Sequence, residues 1–148
     1  MNRGYSVIGL DNPKCNENIG SALRACGVYD AALMIVSGAR YKKNKLDTRA
    51  QYRHMPFLQV DDLLSHIPYD CVPVAVDLIE NAKSLVNYTH PERAFYIFGA
   101  EDATLGKRIT DKCRDVIYVP TNGCMNLAAT VNVILYDRMQ KQLRKNYK

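Results

Sequence analysis

The 148-residue chain has no apolar run approaching the ~20 residues that a membrane-crossing helix needs, so no membrane association is expected. Its opening, MNRGYSVIGLDNP, lacks the longer apolar core and small-residue cleavage site of a secretory signal, and a cytoplasmic protein is expected. The five cysteines, Cys15, Cys26, Cys71, Cys113 and Cys124, form no C-x-x-C pair and have no histidine beside them at zinc-ligand spacing. That pattern fits free thiols in a reducing compartment, and no metal is expected. In such a compartment the formal glycosylation triplet Asn87-Tyr88-Thr89 has no use. His54, His66 and His90 are isolated, which leaves no local Ser-His-Asp or Cys-His pairing for hydrolase chemistry. No G-x-G-x-x-G follows the first strand and no G-x-x-x-x-G-K-[ST] occurs, which disfavours a dinucleotide site or P-loop. Neither an internal repeat nor a linker is visible, so residues 1–148 read as one domain.

Strand patterns fall at residues 5–10, 31–36, 55–60, 71–78, 94–99 and 116–119. Helical patterns fall at 18–29, at 61–67 behind Asp61 as an N-cap, weakly at 81–88, at 106–113, and from Asn126 onward. Pro73 warns that its strand is an edge or begins late. Strands alternating with helices specify an α/β fold, a mainly parallel sheet with helices on both faces. In such sheets ligands bind beyond the carboxyl ends of the strands, here the loops after Leu10, Val76, Gly99 and Val119.

The net charge of +5 is unevenly spread. Between residues 38 and 55 stand Arg40, Lys42, Lys43, Lys45, Arg49 and Arg53 against one acid, Asp47, interleaved with Tyr41 and Tyr52. Between 138 and 148 stand Arg138, Lys141, Arg144, Lys145 and Lys148 with no acid. A charge run is commonly just a solvated face, but these two hold more than half of the 20 basic residues and point to a polyanion partner.

The densest signal is IYVPTNGCMNLAATVNVILY, residues 117–136, read as strand, polar loop and helix. Such a loop offers a ligand free N–H groups from the helix start and a glycine that permits close approach, although a plain turn and N-cap would look similar. Two further words stand at strand ends: N-x-G-x-x-x-R at Asn18, Gly20 and Arg24, and F-G-x-E at Phe98 to Glu101. Together, in this order, the three words resemble the signatures of the SpoU (TrmH-like) family of RNA ribose 2′-O-methyltransferases, and the resemblance runs from Val7 to Arg138. Two departures stand out. Cys124 and Met125 replace the usual Ser and Leu, and Glu101 is followed by Asp102-Ala103-Thr104-Leu105-Gly106 in place of an early Gly and Leu.

The resemblance implies a SPOUT-type fold with a C-terminal deep trefoil knot. It implies S-adenosylmethionine held by Val76, Gly99, Glu101, Val119, Cys124 and Asn126, and a reactive set of Asn18, Arg24, Glu101 and Asn126. It also implies a homodimer, expected here through the first and last helices, in which Arg24 reaches the partner's site. An arginine titrates above ~12, so the expected role of Arg24 is to anchor a phosphate and stabilise a developing alkoxide. The substrate would be tRNA or rRNA, held by Arg40, Lys42, Lys43, Lys45, Arg49 and Arg53. The competing reading is an RNA-binding protein on the same scaffold with weak or no catalysis.

Overall fold

The computed structural model describes residues 3–41 and 55–146. In chain order these form β1 (Tyr5–Leu10), α1 (Asn16–Val28), β2 (Leu33–Ser37), β3 (Phe57–Val60), a 3₁₀ turn (Leu63–His66), β4 (Val72–Val76), β5 (Lys83–Ser84), a second 3₁₀ turn (Leu85–Asn87), β6 (Arg93–Phe98), α2 (Lys107–Thr110), β7 (Asp115–Tyr118) and α3 (Leu127–Asn146). The described strands make one seven-stranded sheet in the order β3-β2-β1-β6-β4-β7-β5, with every pairing parallel. Among the described residues no helix is long and apolar enough to cross a membrane.

Both faces of the sheet are covered, which is why its central strands are nearly continuous apolar runs. Alternate side chains point to opposite faces. Ile8, Leu10, Met34, Val36, Tyr96 and Phe98 meet Ile19, Leu23 and Cys26 of α1 and Val131, Ile134 and Leu135 of α3. On the other face Val7, Ile35, Ala75, Phe95 and Ile97 meet Leu63 of the first 3₁₀ turn, Leu105 and Ile109. One face thus carries two long helices and the other only short helical turns.

Several expectations need correction. Residues 81–88 are not a helix: Asn81 has a φ of 68°, Lys83 pairs with Ile117 of β7, and only Leu85–Asn87 turn helically. The pairing is reinforced by the Lys83 ammonium 2.8 Å from the buried Asp115 carboxylate. Residues 61–67 contract to one 3₁₀ turn, preceded by Asp62 and not Asp61, with no side-chain cap. Pro73 does not mark an edge, because β4 lies between β6 and β7. Its carbonyl accepts the Arg114 N–H at 3.0 Å, so its missing N–H faces β7, and pairing there begins one residue later at Val74.

The basic C-terminal run is partly internal. Arg138 is buried, and its guanidinium donates to the carbonyls of Pro91 at 2.7 Å, Glu92 at 2.6 Å and Tyr5 at 3.3 Å and to the Tyr96 hydroxyl at 3.1 Å. It ties α3 to the entries of β1 and β6. Lys141 donates to the carbonyls of Leu85 at 2.6 Å and Tyr88 at 2.8 Å. Beside them His90 bridges the Tyr96 hydroxyl at 2.6 Å and Asp137 at 2.7 Å. Burial pushes the Tyr96 hydroxyl up to about 12, so it stays a donor to Nδ1 while the Nε2–H of a neutral imidazole donates to Asp137.

This network predicts a specific acid sensitivity. Burial lowers the His90 pKa, with Lys141 and Arg138 adding to it and Asp137 opposing it. The stability contributed by the neutral form is therefore complete above the unfolded value of ~6.5 and is lost as pH falls through the lower folded value. Thermal unfolding should show a Tm that declines as pH drops below ~6.5. His90→Asn should be less stable throughout and lack that decline.

Candidate functional site

Two cavities open above the carboxyl ends of β4, β6 and β7, with volumes of about 510 Å³ and about 520 Å³. They share Val76, Asp77, Cys124, Met125 and Thr130 and so form one two-lobed cleft. Each lobe falls within the roughly 300–1,000 Å³ usual for small-ligand sites. The cleft also lies beside the point where the strand order runs outward in both directions from β1 and β6, as ligand sites in open parallel sheets do.

The loop after β6 forms one wall and is held from three sides. The Glu101 carboxylate accepts the N–H groups of Lys14 at 2.9 Å and Cys15 at 3.2 Å and the Asn18 side-chain amide at 3.1 Å. It anchors the turn that leads into α1, where Cys15 at the cap position makes no side-chain capping bond of its own. Burial works to raise the Glu101 pKa, but the Lys14 N–H, its own N–H, the Asn18 amide and the Cys15 N–H outweigh it, so the carboxyl titrates below its ordinary value. On the second side Arg40 makes a two-pronged contact with Asp102, at 2.9 and 3.0 Å, and donates to the Asn12 carbonyl at 2.7 Å. On the third, the Leu105 N–H donates to Asp77 Oδ2 at 3.3 Å, while the Leu78 N–H donates to Oδ1 at 2.9 Å.

Within that loop Gly99 is closely packed: a Cβ there would lie 3.1 Å from the Ala103 carbonyl oxygen, a tight contact that the loop would have to yield to by a few tenths of an ångström. Gly123, in the opposite wall, is different, because a Cβ there would meet nothing within 4 Å. Its wall, Thr121 to Asn126, leads into α3, which Asn126 caps by accepting the Ala129 N–H at 2.7 Å. Cys124 is exposed and lines both lobes.

Most of the expected residues meet here. Asn18, Val76, Gly99, Glu101, Cys124 and Asn126 line the first lobe, and Val119 lines the second with Val76 and Cys124. Arg24 does not join them. It is exposed on α1 in one stripe with Glu17, Ser21 and Val28, and among the described residues no hydrogen bond or ion pair engages its guanidinium. Arg40 is engaged by Asp102 and Asn12, which argues against its being a free phosphate contact. Lys42, Lys43, Lys45, Arg49 and Arg53 lie outside the described residues. Asp77, which lines both lobes, had no spacing signal to single it out; its place at the end of an apolar strand was the only hint. Thr104, Met125 and Thr130 were likewise missed.

A model of the SpoU rRNA Methylase family matches residues 5–136. Comparison with curated proteins finds no match. Among solved structures the fold is similar to that of a SpoU methyltransferase from Streptomyces viridochromogenes in complex with the cofactor AdoMet, with 19% identity and a TM-score of 0.84 over 97% of this chain and 60% of that one. A structure described by its 2-OH methylation of C/U34 on tRNA shares 18% identity and a TM-score of 0.82 over 95% of this chain and 97% of that one. A TrmH/SpoU tRNA modifying enzyme from A. aeolicus shares 18% identity and a TM-score of 0.82 over 97% of this chain and 78% of that one. The chain spans about three-fifths of the first structures it matches, 60% and 62% of their lengths. At these identities the likeness is one of fold.

The cap at the head of α3 yields a stability prediction. Asn126→Ala should lower the unfolding free energy by about 1 kcal/mol in urea titrations, whereas Asn126→Asp, an equally good cap, should lose little. Equal losses in the two variants would show that the Asn126–Ala129 bond does not support the helix.

Proposed function

We propose, on the premise that this chain belongs to the SpoU rRNA Methylase family, that it is an S-adenosylmethionine-dependent RNA methyltransferase acting on a ribose 2′-hydroxyl of tRNA or rRNA in the cytoplasm. One observation carries the reading. Asn18, Glu101 and Asn126, one from each of three words spread over more than a hundred residues, line the same lobe of one cleft. The reading includes the C-terminal trefoil knot of the SPOUT fold and a homodimer.

The residues fit the cofactor. The cleft has many small side chains in its walls, Gly99 lets the backbone pack closely, and the described lining includes two carboxylates and no cation to oppose a sulfonium. Bound there, the cofactor would supply an electrophilic methyl group. The protein's task is then to hold the ribose oxygen in line at ~3–3.5 Å and to let its proton leave. Glu101 and Asp77 contribute by keeping the walls in place before any ligand arrives. Arg24, exposed and outside its own cleft, is suited to serve the cleft of a second copy, where its fork can grip a phosphate and favour the developing alkoxide. The large exposure of Val28 and Tyr136, 70% and 54%, on the two helices expected to pair supports that dimer. Basic residues between 42 and 53 would hold the RNA backbone.

Methyl transfer from labelled cofactor to tRNA and rRNA, followed by mass spectrometry of nucleosides, tests the reading. A 2′-O-methylated nucleoside is expected, while RNA binding without transfer would favour the RNA-binding alternative. Arg24→Ala should keep the wild-type Tm and cofactor affinity but lose a hundredfold or more in rate, equivalent to ~2.7–4 kcal/mol, and Arg24→Lys should rescue little. A wild-type rate in Arg24→Ala would remove Arg24 from the site. Iodoacetamide should alkylate the exposed Cys124, and saturating S-adenosylmethionine should slow this at least severalfold, as read by peptide mass spectrometry. Unprotected alkylation would place the cofactor elsewhere.

A further inference from the structure

The cleft carries the opposite charge to the protein around it. The chain has a net charge of +5, yet the cleft is lined by the carboxylates of Asp77 and Glu101 and, among the described residues, by no lysine, arginine or histidine. The two acids are placed differently. Glu101 is taken up by three donors at the entrance of α1. Asp77 receives one backbone N–H on each oxygen, at 2.9 and 3.3 Å, and is the one acid that lines both lobes. An ionised carboxylate offers roughly four acceptor positions, so these two bonds fix its orientation and leave acceptor capacity toward the cleft.

We propose that Asp77 makes the cleft distinguish the cofactor from its spent form by charge. The inference rests on the methyltransferase reading above. In the transfer the methyl–sulfur bond breaks with its electron pair remaining on sulfur, the ribose oxygen forms the new carbon–oxygen bond, and the hydroxyl proton passes to solvent. S-adenosylmethionine therefore enters with a sulfonium cation and leaves as the neutral thioether S-adenosylhomocysteine. A carboxylate held in the cleft attracts the first and loses that attraction for the second. Both lobes are open to water, which screens the interaction, and a unit charge a few ångströms away then changes affinity by roughly tenfold. The same negative lining discourages an RNA phosphate from entering the cofactor's place, leaving the polyanion to the basic surface.

Titration calorimetry of the full chain with S-adenosylmethionine, S-adenosylhomocysteine and sinefungin, whose ammonium stands where the methyl on the sulfonium does, tests this. The wild type should bind the two cationic ligands about tenfold more tightly than the thioether. Asp77→Asn should cut that preference to about twofold or less, chiefly by weakening the cationic ligands, with S-adenosylhomocysteine affinity nearly unchanged. If Asp77→Asn does not fold, wild-type salt dependence decides, because the cationic ligands must weaken more steeply with added salt than the thioether. Equal affinities in the wild type, or an unchanged preference in Asp77→Asn, would overturn the proposal and leave the methyltransferase reading intact. Equal loss of all three ligands in the variant would leave Asp77 as a wall support alone and overturn it too. Failure of the wild type to bind any of the three would overturn that reading as well.

Discussion

The Glu101 carboxylate is the point on which the site turns. It stands at the end of β6, yet its donors belong to the turn and helix that follow β1, more than eighty residues earlier. β1 and β6 are neighbours over six residue pairs, so the sheet delivers the two loops to the same place, and the carboxylate then locks them together. A carboxylate at the start of α1 also meets the favourable pole of the helix. The interaction anchors the entrance to α1 and positions a wall of the cleft at once. Asp102 with Arg40 and Asp77 with Leu105 extend the same device to the loops after β2 and β4. Three carboxylates therefore hold a wall that is otherwise built of small residues, the kind of advance ordering a binding site needs.

Much of the architecture was legible because a sheet buried on both faces writes itself as apolar runs. Tyr5–Leu10 appears where its pattern put it, and the strands at Leu33–Ser37 and Arg93–Phe98 differ from expectation only at their ends. What failed were segments whose state is decided by partners distant in sequence. Residues 81–88 carry a weak helical period, but strand pairing with β7 and the Lys83–Asp115 contact override it. Pro73 was rightly read as awkward, but which side of the strand lacks a partner cannot be known before the neighbours are.

The site was legible in its words and illegible in its contacts. The resemblance put Asn18 in the reactive set, and the structure shows its amide reaching across to Glu101. The residues after Glu101 looked like a departure from pattern, and the structure gives part of that departure a purpose, since Asp102 is the partner of Arg40. Charge counting placed Arg40 and Arg138 among surfaces for a polyanion, but one closes a loop–loop contact and the other is buried among carbonyls. A sum over basic residues cannot tell a guanidinium facing water from one already occupied.

These assignments sharpen the electrostatic picture of the molecule. Removing Arg40, Arg138 and Lys141 from the free basic surface lessens the apparent attraction for a polyanion, while the described lining of the cleft retains two carboxylates and no cation. In the proposed function, an overall charge that draws RNA and a small-ligand cleft that disfavours phosphate would keep the polyanion site and the cofactor site from competing, because the fields differ in reach. The overall charge acts over about a Debye length of ~10 Å at moderate salt, whereas a single carboxylate in a half-open cleft is felt mainly by what sits against it. Steering and selection can then be set by different residues, and a substitution in one need not disturb the other.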